Sequence, residues 1–209
     1  TSWGTHRLTL GALVGALAAA ALVYLISMAQ GGMTPLRLVL SGVVLSSAFS
    51  ALASFLVFRS PDPRAAQSVL FWMLGSVAGA TWDSLWVAAL VTVVIAVLMI
   101  AFSGWLDALA AGTDVARSLG IPDTRVRKAL FVGNSVLVGV LVAVSGGIGF
   151  VGLVIPHMAR LLVGASHRSM LPIAAGVGSL FLLWVDVGAR VIAAPQEVPL
   201  GVVTGFIGA

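Results

Sequence analysis

Three stretches of this chain run the full thickness of a bilayer without a formal charge. Leu8–Met28 and Leu38–Phe58 are each 21 residues long and Ser84–Leu106 is 23, against about 20 residues needed to cross the hydrocarbon core as a helix. Charged residues make up 9% of the sequence and hydrophobic ones 60%, whereas soluble domains carry roughly 25% charged residues. A water-soluble globular fold is therefore excluded. The chain reads as an all-α, multi-pass helical bundle in a membrane, because helices satisfy their own backbone groups where no water reaches them.

Further spans are expected at Arg127–Ser145, Gly149–Gly164 and Met170–Ile192, each interrupted by Gly, Pro or a charge, and one more starts near Pro199, which makes seven. The apolar stretch after Arg7 is long and followed by others, so the expectation is insertion and not cleavage as a leader. The sequence does not begin with Met and stops at Ala209 inside an apolar run. We read it as a fragment truncated at both ends.

Ala65–Trp82 is also uncharged, but it is 18 residues long and contains Gln67, Gly75, Ser76 and Gly79. It is expected to be a short or re-entrant helix, and its status decides the topology. If it does not span, the Lys and Arg residues divide 7 against 4; if it does, 9 against 2. The tendency of basic loops to stay cytoplasmic prefers the second division. Both divisions place the Asp107–Lys128 and Arg160–Arg168 loops together on the basic, cytoplasmic side.

The net charge of +4 comes from Arg and Lys between apolar segments, where they orient helices, and forms no continuous basic face for nucleic acid. Gly11 with Gly15 and Gly75 with Gly79 have the GxxxG spacing that lets membrane helices approach closely. Gly147-Ile-Gly-Phe-Val-Gly152 matches a dinucleotide-binding pattern, yet no acidic residue follows about 20 positions on and no βαβ unit surrounds it. A tight turn between two apolar runs is expected there. His157 and His167 have no nearby carboxylate or Cys in sequence, so no metal ligands are assigned; His157 is expected to pack or hydrogen-bond, and His167 to lie in an exposed loop. No catalytic constellation is visible. Asp186 and Arg190 stand four apart on an apolar helix, where each neutralises the other.

The most informative polar stretch is Thr113-Asp-Val-Ala-Arg-Ser-Leu-Gly-Ile-Pro122. Thr113 is expected to cap a short helix, Asp114 to suit its positive end, and Gly120 and Pro122 to stop it. A compact cytoplasmic helix between two spans makes a docking element.

From about Leu36 onward, seven motifs occur in order. They are Leu40-Ser-Gly-Val, Trp72-Met-Leu-Gly75-Ser with Trp82, Ala116-Arg-Ser-Leu-Gly120, and Gly149-Phe-Val-Gly-Leu-Val-Ile-Pro-His157-Met-Ala-Arg160. His167-Arg-Ser-Met-Leu-Pro172, Asp186-Val-Gly-Ala-Arg190 and Pro195-Gln-Glu-Val-Pro-Leu-Gly201 complete the series. The series resembles the FecCD-type permeases, membrane subunits of ABC importers for siderophores, haem and vitamin B12. That resemblance implies a type II ABC importer permease fold with ten membrane helices in the full chain, about seven of them here beside a short periplasmic helix at Ala65–Trp82. It implies a homodimer in the bacterial inner membrane, in contact with lipid, working with two cytoplasmic ATPases and a periplasmic binding protein. ATP and Mg would belong to the ATPases; the permease would bind no cofactor and catalyse nothing.

By the same resemblance residues 1–209 form one permease domain, with a cytoplasmic coupling loop at 103–125 in which Asp114, Ala116, Arg117, Leu119 and Gly120 meet the ATPase. Leu38–Phe58 would line the substrate pathway through Ser41, Ser46, Ser47 and Ser50, with Thr34 and Pro35 at the cytoplasmic gate. Arg59–Asp83 and Ala194–Leu200 would face the binding protein. The family often has Glu where Asp114 stands and Asp where Ser166 stands. A secondary carrier is the alternative, and an intramembrane enzyme a third; the first calls for paired ionisable groups near mid-membrane and the second for a convergent acid, base or metal set.

Overall fold

A computed structural model describes residues 2–29, 34–192 and 198–208, which form ten helices and no strand. The first four are α1 (Ser2–Ala29), α2 (Pro35–Phe58), α3 (Pro63–Met73) and α4 (Trp82–Ala101). Two short helices follow, α5 (Ser103–Ala111) and α6 (Thr113–Ser118). The chain closes with α7 (Asp123–Ser145), α8 (Val151–Val163), α9 (His167–Ile192) and α10 (Leu200–Gly208).

Among the described residues, α2, α4, α7 and α9 are long and apolar enough to cross a membrane. Only 6% of the most apolar stretch of α2, α4 and α7, and 11% of that of α9, is buried inside the chain. Val39, Leu40, Val43 and Val44 on α2 are all more than half exposed. Side chains of this kind need an apolar solvent, and a bilayer supplies one.

Three expectations need correction. Ser84–Leu106 is not one helix: α4 ends at Ala101, the chain turns at Phe102 (φ −99°, ψ 20°), and α5 begins at Ser103. The span expected from Arg127 starts earlier, at Asp123, whose carboxylate suits a helix N-terminus and brings Arg125, Arg127 and Lys128 into the first turns. Gly149–Gly164 narrows to the 13-residue α8, about 20 Å long at 1.5 Å per residue, which with the turns on either side carries the chain from Ile148, packed near Val185, to His167 beside Asp107. Among the described residues α2, α4, α7 and α9 have membrane length, and the expected Leu8–Met28 lies within the 28-residue α1.

The short helix α3 resolves the charge count. Its 11 residues cover only about 16 Å, so α2 ends and α4 begins on the same side. The 9-against-2 division falls with that geometry. Phe58 and Trp82, both 88% exposed, sit at those two helix ends, as aromatic residues do at a membrane boundary.

Packing is concentrated at the two ends. At one, Ala108, Ala116 and Ile121 form a small core with Leu109 and Val126 against it. At the other, Val185, Ala189 and Leu200 form a second core with Val77, Ile148 and Phe181. Between them α1 packs on α7 and α2, α7 on α4, and α8 on α9. Tyr24 and Phe131 bridge α1 and α7 with ring centroids 5.8 Å apart.

The second core is closed by backbone-to-backbone contact. Ser76 N–H donates to Ser145 C=O at 2.8 Å, Leu200 N–H to Gly75 C=O at 2.9 Å, and Gly201 N–H to Leu74 C=O at 2.9 Å. These bonds tie the end of α3 to the α7–α8 turn and to the start of α10. A Cβ at Gly146 would lie 2.1 Å from Trp72 O, and one at Gly201 would lie 2.2 Å from Leu74 O. Only glycine allows that approach. The expected turn at Gly147–Gly152 is part of this knot, with α8 starting at Val151. Phe150 just before it has φ +65°, an outlier for a bulky residue.

Candidate functional site: the α5–α6 helical pair

α5 and α6 pack on one another, α5 also against α9 and α6 against α7. Strict alternation of sides, with α3 not crossing, places this pair at the same end as the start of α2. Ala116 is fully buried and Ile121 nearly so, and both pack on Ala108 of α5.

α6 stops where Gly120 was expected to stop it. Gly120 N–H donates to Arg117 C=O at 2.9 Å and Ile121 N–H donates to Ala116 C=O at 3.0 Å. Together with φ +74° at Gly120, this is the left-handed helix stop that satisfies orphan carbonyls and brings the residue beyond it onto the helix's own apolar side. Ala116 and Ile121 make that contact inside the core. Thr113, in contrast, is not the cap. Gly112 (φ 128°, ψ 160°) occupies that position and Thr113 is the first helical residue. The Thr113 hydroxyl instead accepts from Arg127 Nη2 at 3.4 Å, which joins the start of α6 to α7.

Arg117 is paired within the chain: its Nε and Nη2 lie 3.4 Å from the two oxygens of Asp123, and the guanidinium side remains 63% exposed. Asp123 therefore holds Arg117 at the surface, a geometry suited to a third, acidic or carbonyl-bearing partner. Leu119 is 66% exposed beside it. Asp114 stands in the first turn of α6. The five expected coupling residues thus separate into a buried one, Ala116, and a turn, Gly120, that shape the element, with Asp114 and Arg117 on the short helix and Leu119 just past its end.

A residue that the sequence reading missed anchors the pair from the other side. Asp107 of α5 accepts from the His167 backbone N–H at 2.9 Å, faces His167 Nδ1 at 2.5 Å, and accepts from Ser166 Oγ at 3.3 Å. Hydrogen bonds from the His167 backbone first, and then from its ring, hold the Asp107 carboxyl below the ordinary carboxylate value, against a smaller opposing effect of burial. An ionised carboxylate only accepts, so Nδ1 is the protonated ring nitrogen. His167 is consequently not in an exposed loop: its side chain is 18% exposed and it is the first residue of α9. Asp107 caps that helix from 60 residues away, a contact worth about 1 kcal/mol.

The expected pathway residues divide across α2. Thr34 caps the helix, its Oγ1 accepting from Arg37 N–H at 3.4 Å, and Pro35 is its first residue. Ser46, Ser47 and Ser50 are exposed and share one face, whereas Ser41 is 5% exposed and lies on the opposite one. A cavity of about 500 Å³ between α1, α2 and α7 is lined by Ala16, Leu38, Phe131 and Asn134, with Arg127 beside them. Asp186 and Arg190 pair as their spacing implies, with Arg190 Nε to Asp186 Oδ2 at 2.9 Å and Nη2 to Oδ1 at 3.3 Å. They stand beside the second core. His157 is exposed on α8 and does not pack inside the chain. Residues 193–197, and with them most of the Pro195-Gln-Glu-Val motif and of the expected Ala194–Leu200 surface, lie outside the described residues.

Comparison with known proteins agrees with this architecture. The chain is 36% identical over 209 residues to the iron(3+)-hydroxamate import system permease protein FhuG of Bacillus subtilis, covering 99% of this chain and 61% of that protein. It is 37% identical over 198 residues to the cobalamin import system permease protein BtuC of Halobacterium salinarum, covering 95% and 53%. With the hemin transport system permease protein HmuU of Yersinia pestis it shares 35% identity over 198 residues, 95% of this chain and 59% of the relative. The chain thus spans little more than half the length of these relatives. A solved structure of a metal-chelate type ABC transporter in an inward-facing conformation superposes with a TM-score of 0.83 at 34% identity, covering 98% of this chain and 68% of that one. The FecCD transport family matches residues 1–209, and this chain belongs to it as a multi-pass membrane protein.

Proposed function

We propose that this chain is the permease subunit of an ABC importer that receives an iron chelate, haem or cobalamin from a periplasmic binding protein and releases it to the cytoplasm. The family match over the whole chain carries the reading, and the α5–α6 pair supplies its mechanism. The pair is short, internally packed and fixed at a glycine stop, so it moves as one body when a partner grips it. ATP hydrolysis belongs to a separate cytoplasmic subunit that grips it through Asp114, Arg117 and Leu119. The spans then rearrange around a pathway faced by Ser46, Ser47 and Ser50 of α2, with Thr34 and Pro35 at its cytoplasmic end. Two copies of the permease enclose that pathway in the bacterial inner membrane. The binding protein docks on the opposite side, over Arg59–Asp83, where the glycine knot gives it a firm footing.

The test is reconstitution of the full-length permease in proteoliposomes with its ATPase and binding protein. Uptake of a chelate that depends on ATP and on the loaded binding protein is the expected result. Uptake driven by an ion gradient without the ATPase would overturn the proposal.

A further inference from the structure

α9 touches both ends of the molecule. Its first residue, His167, is bound to Asp107 of α5, and its last turns enter the second core through Val185 and Ala189, next to Val77 and Leu200. α5 in turn packs on α6 as well as on α9. A displacement of α6 therefore has two routes into the spans: along the chain into α7, and sideways through α5 into the start of α9.

The second route is built around one carboxylate. Asp107 accepts from a backbone N–H, a ring N–H and a hydroxyl, all on residues 166–167. Apolar helix contacts slide over one another at little cost, whereas a carboxylate held by three donors fixes direction as well as distance. The backbone donor matters most here. It makes Asp107 part of the α9 N-terminus itself, so α5 cannot shift without either pulling the first turn of α9 or exposing its orphan N–H.

We propose that the Asp107–His167 contact is the junction through which movement of the α5–α6 pair enters α9, so that α9 relays ATPase closure to the far side of the chain. The inference rests on α5–α6 being the ATPase-docking element. Asp107 and His167 are positioning residues in transport, acting through α9.

The test uses the full-length permease reconstituted with its ATPase and binding protein, and three readouts: ATPase co-purification, ATP hydrolysis, and chelate taken up per ATP hydrolysed. Asp107→Ala and His167→Ala should retain co-purification and hydrolysis. Uptake per ATP should fall at least about tenfold in Asp107→Ala, the population change that loss of a charge-assisted contact produces in a two-state element, and by less in His167→Ala, which keeps the backbone donor to Asp107. The double variant should match Asp107→Ala, since loss of the carboxylate already removes every bond that the His167 substitution touches. His167→Asn, whose amide still donates toward Asp107, should recover part of the loss. Asp107→Asn, closer in shape, replaces Asp107→Ala should the latter fail to insert, with the same expected direction.

Unchanged uptake per ATP in the Asp107 and His167 variants would overturn the proposal. Loss of ATPase co-purification in them would also overturn it, by making the contact part of the docking surface. Gly120→Val separates the two levels. If the docking reading is what fails, that variant too keeps co-purification and stimulation; if only the junction fails, it is impaired while the Asp107 and His167 variants transport normally.

Discussion

Gly120 offers a perturbation in which backbone geometry is separated from packing. Its φ is +74° and a Cβ there would meet nothing within 4 Å, so a substituted residue costs only what the left-handed conformation costs. For an L-residue that is about 1–2 kcal/mol, with a β-branched side chain at or above the upper end and Asn near the lower. A change of this size alters the population of correctly terminated α6 by about 5- to 30-fold. What is lost is specific: Gly120 N–H to Arg117 and Ile121 N–H to Ala116, after which Ile121 no longer closes the core over Ala116 and Ala108. The expected order of damage is Gly120→Asn least, Gly120→Ala intermediate and Gly120→Val greatest. ATPase co-purification and stimulation of hydrolysis by the loaded binding protein report it, with membrane yield as the control for insertion. Equal effects of Asn and Val, or full stimulation in the Val variant, would refute the conformational reasoning.

Asp186→Ala and Arg190→Ala should each lower assembly more than the double substitution, because one change leaves an unbalanced charge and two leave none; purely additive losses in a double-mutant cycle would remove the pair from consideration. For Asp107 the sign follows from its lowered carboxyl value. The capping contribution is fully present above the ordinary carboxylate range and is lost as pH falls through the lowered value. Stability should therefore be insensitive to this group from neutral pH to about pH 5, and Asp107→Asn should remove an acid-induced loss seen only below about pH 4. Gly146→Ala, which forces a Cβ to 2.1 Å from Trp72 O, should lower thermal stability in detergent by more than the usual overpacking cost of about 1–3 kcal/mol. Gly149→Ala, with open space at its Cβ, serves as the control.

Features that depend on neighbours along the chain were legible in the sequence. The spacing of Asp186 and Arg190 fixes their pairing, the Gly120 stop follows from one residue type near a helix end, and α2 and α4 are recognisable because lipid selects composition over a whole span. Features that depend on distant backbone were not. Asp107 and His167 are 60 positions apart, and nothing in either neighbourhood marks them as partners. The break at Phe102 leaves no mark either, since Trp105 and Leu106 continue the apolar run beyond it. Thr113 has the chemistry of a cap, but Gly112 took the role and left the threonine oxygen to Arg127. At Gly146 and Gly201 the need for glycine arises from the carbonyl groups of Trp72 and Leu74 at the end of α3, which no local pattern reveals.

The length of α9 gives its tethered end a mechanical meaning. Its 26 residues make a rod of about 39 Å, held at His167 by Asp107 and seated at Ala189 against the start of α10. A tilt of about 5° about the His167 end sweeps the Ile192 end through about 3 Å, roughly the rise of two helical residues. Pro172 sits one turn from the tether and lacks the N–H that would stiffen that turn. If α9 relays motion as proposed, a small tilt at the Asp107 end becomes a larger displacement at the Ile192 end, beneath the glycine knot.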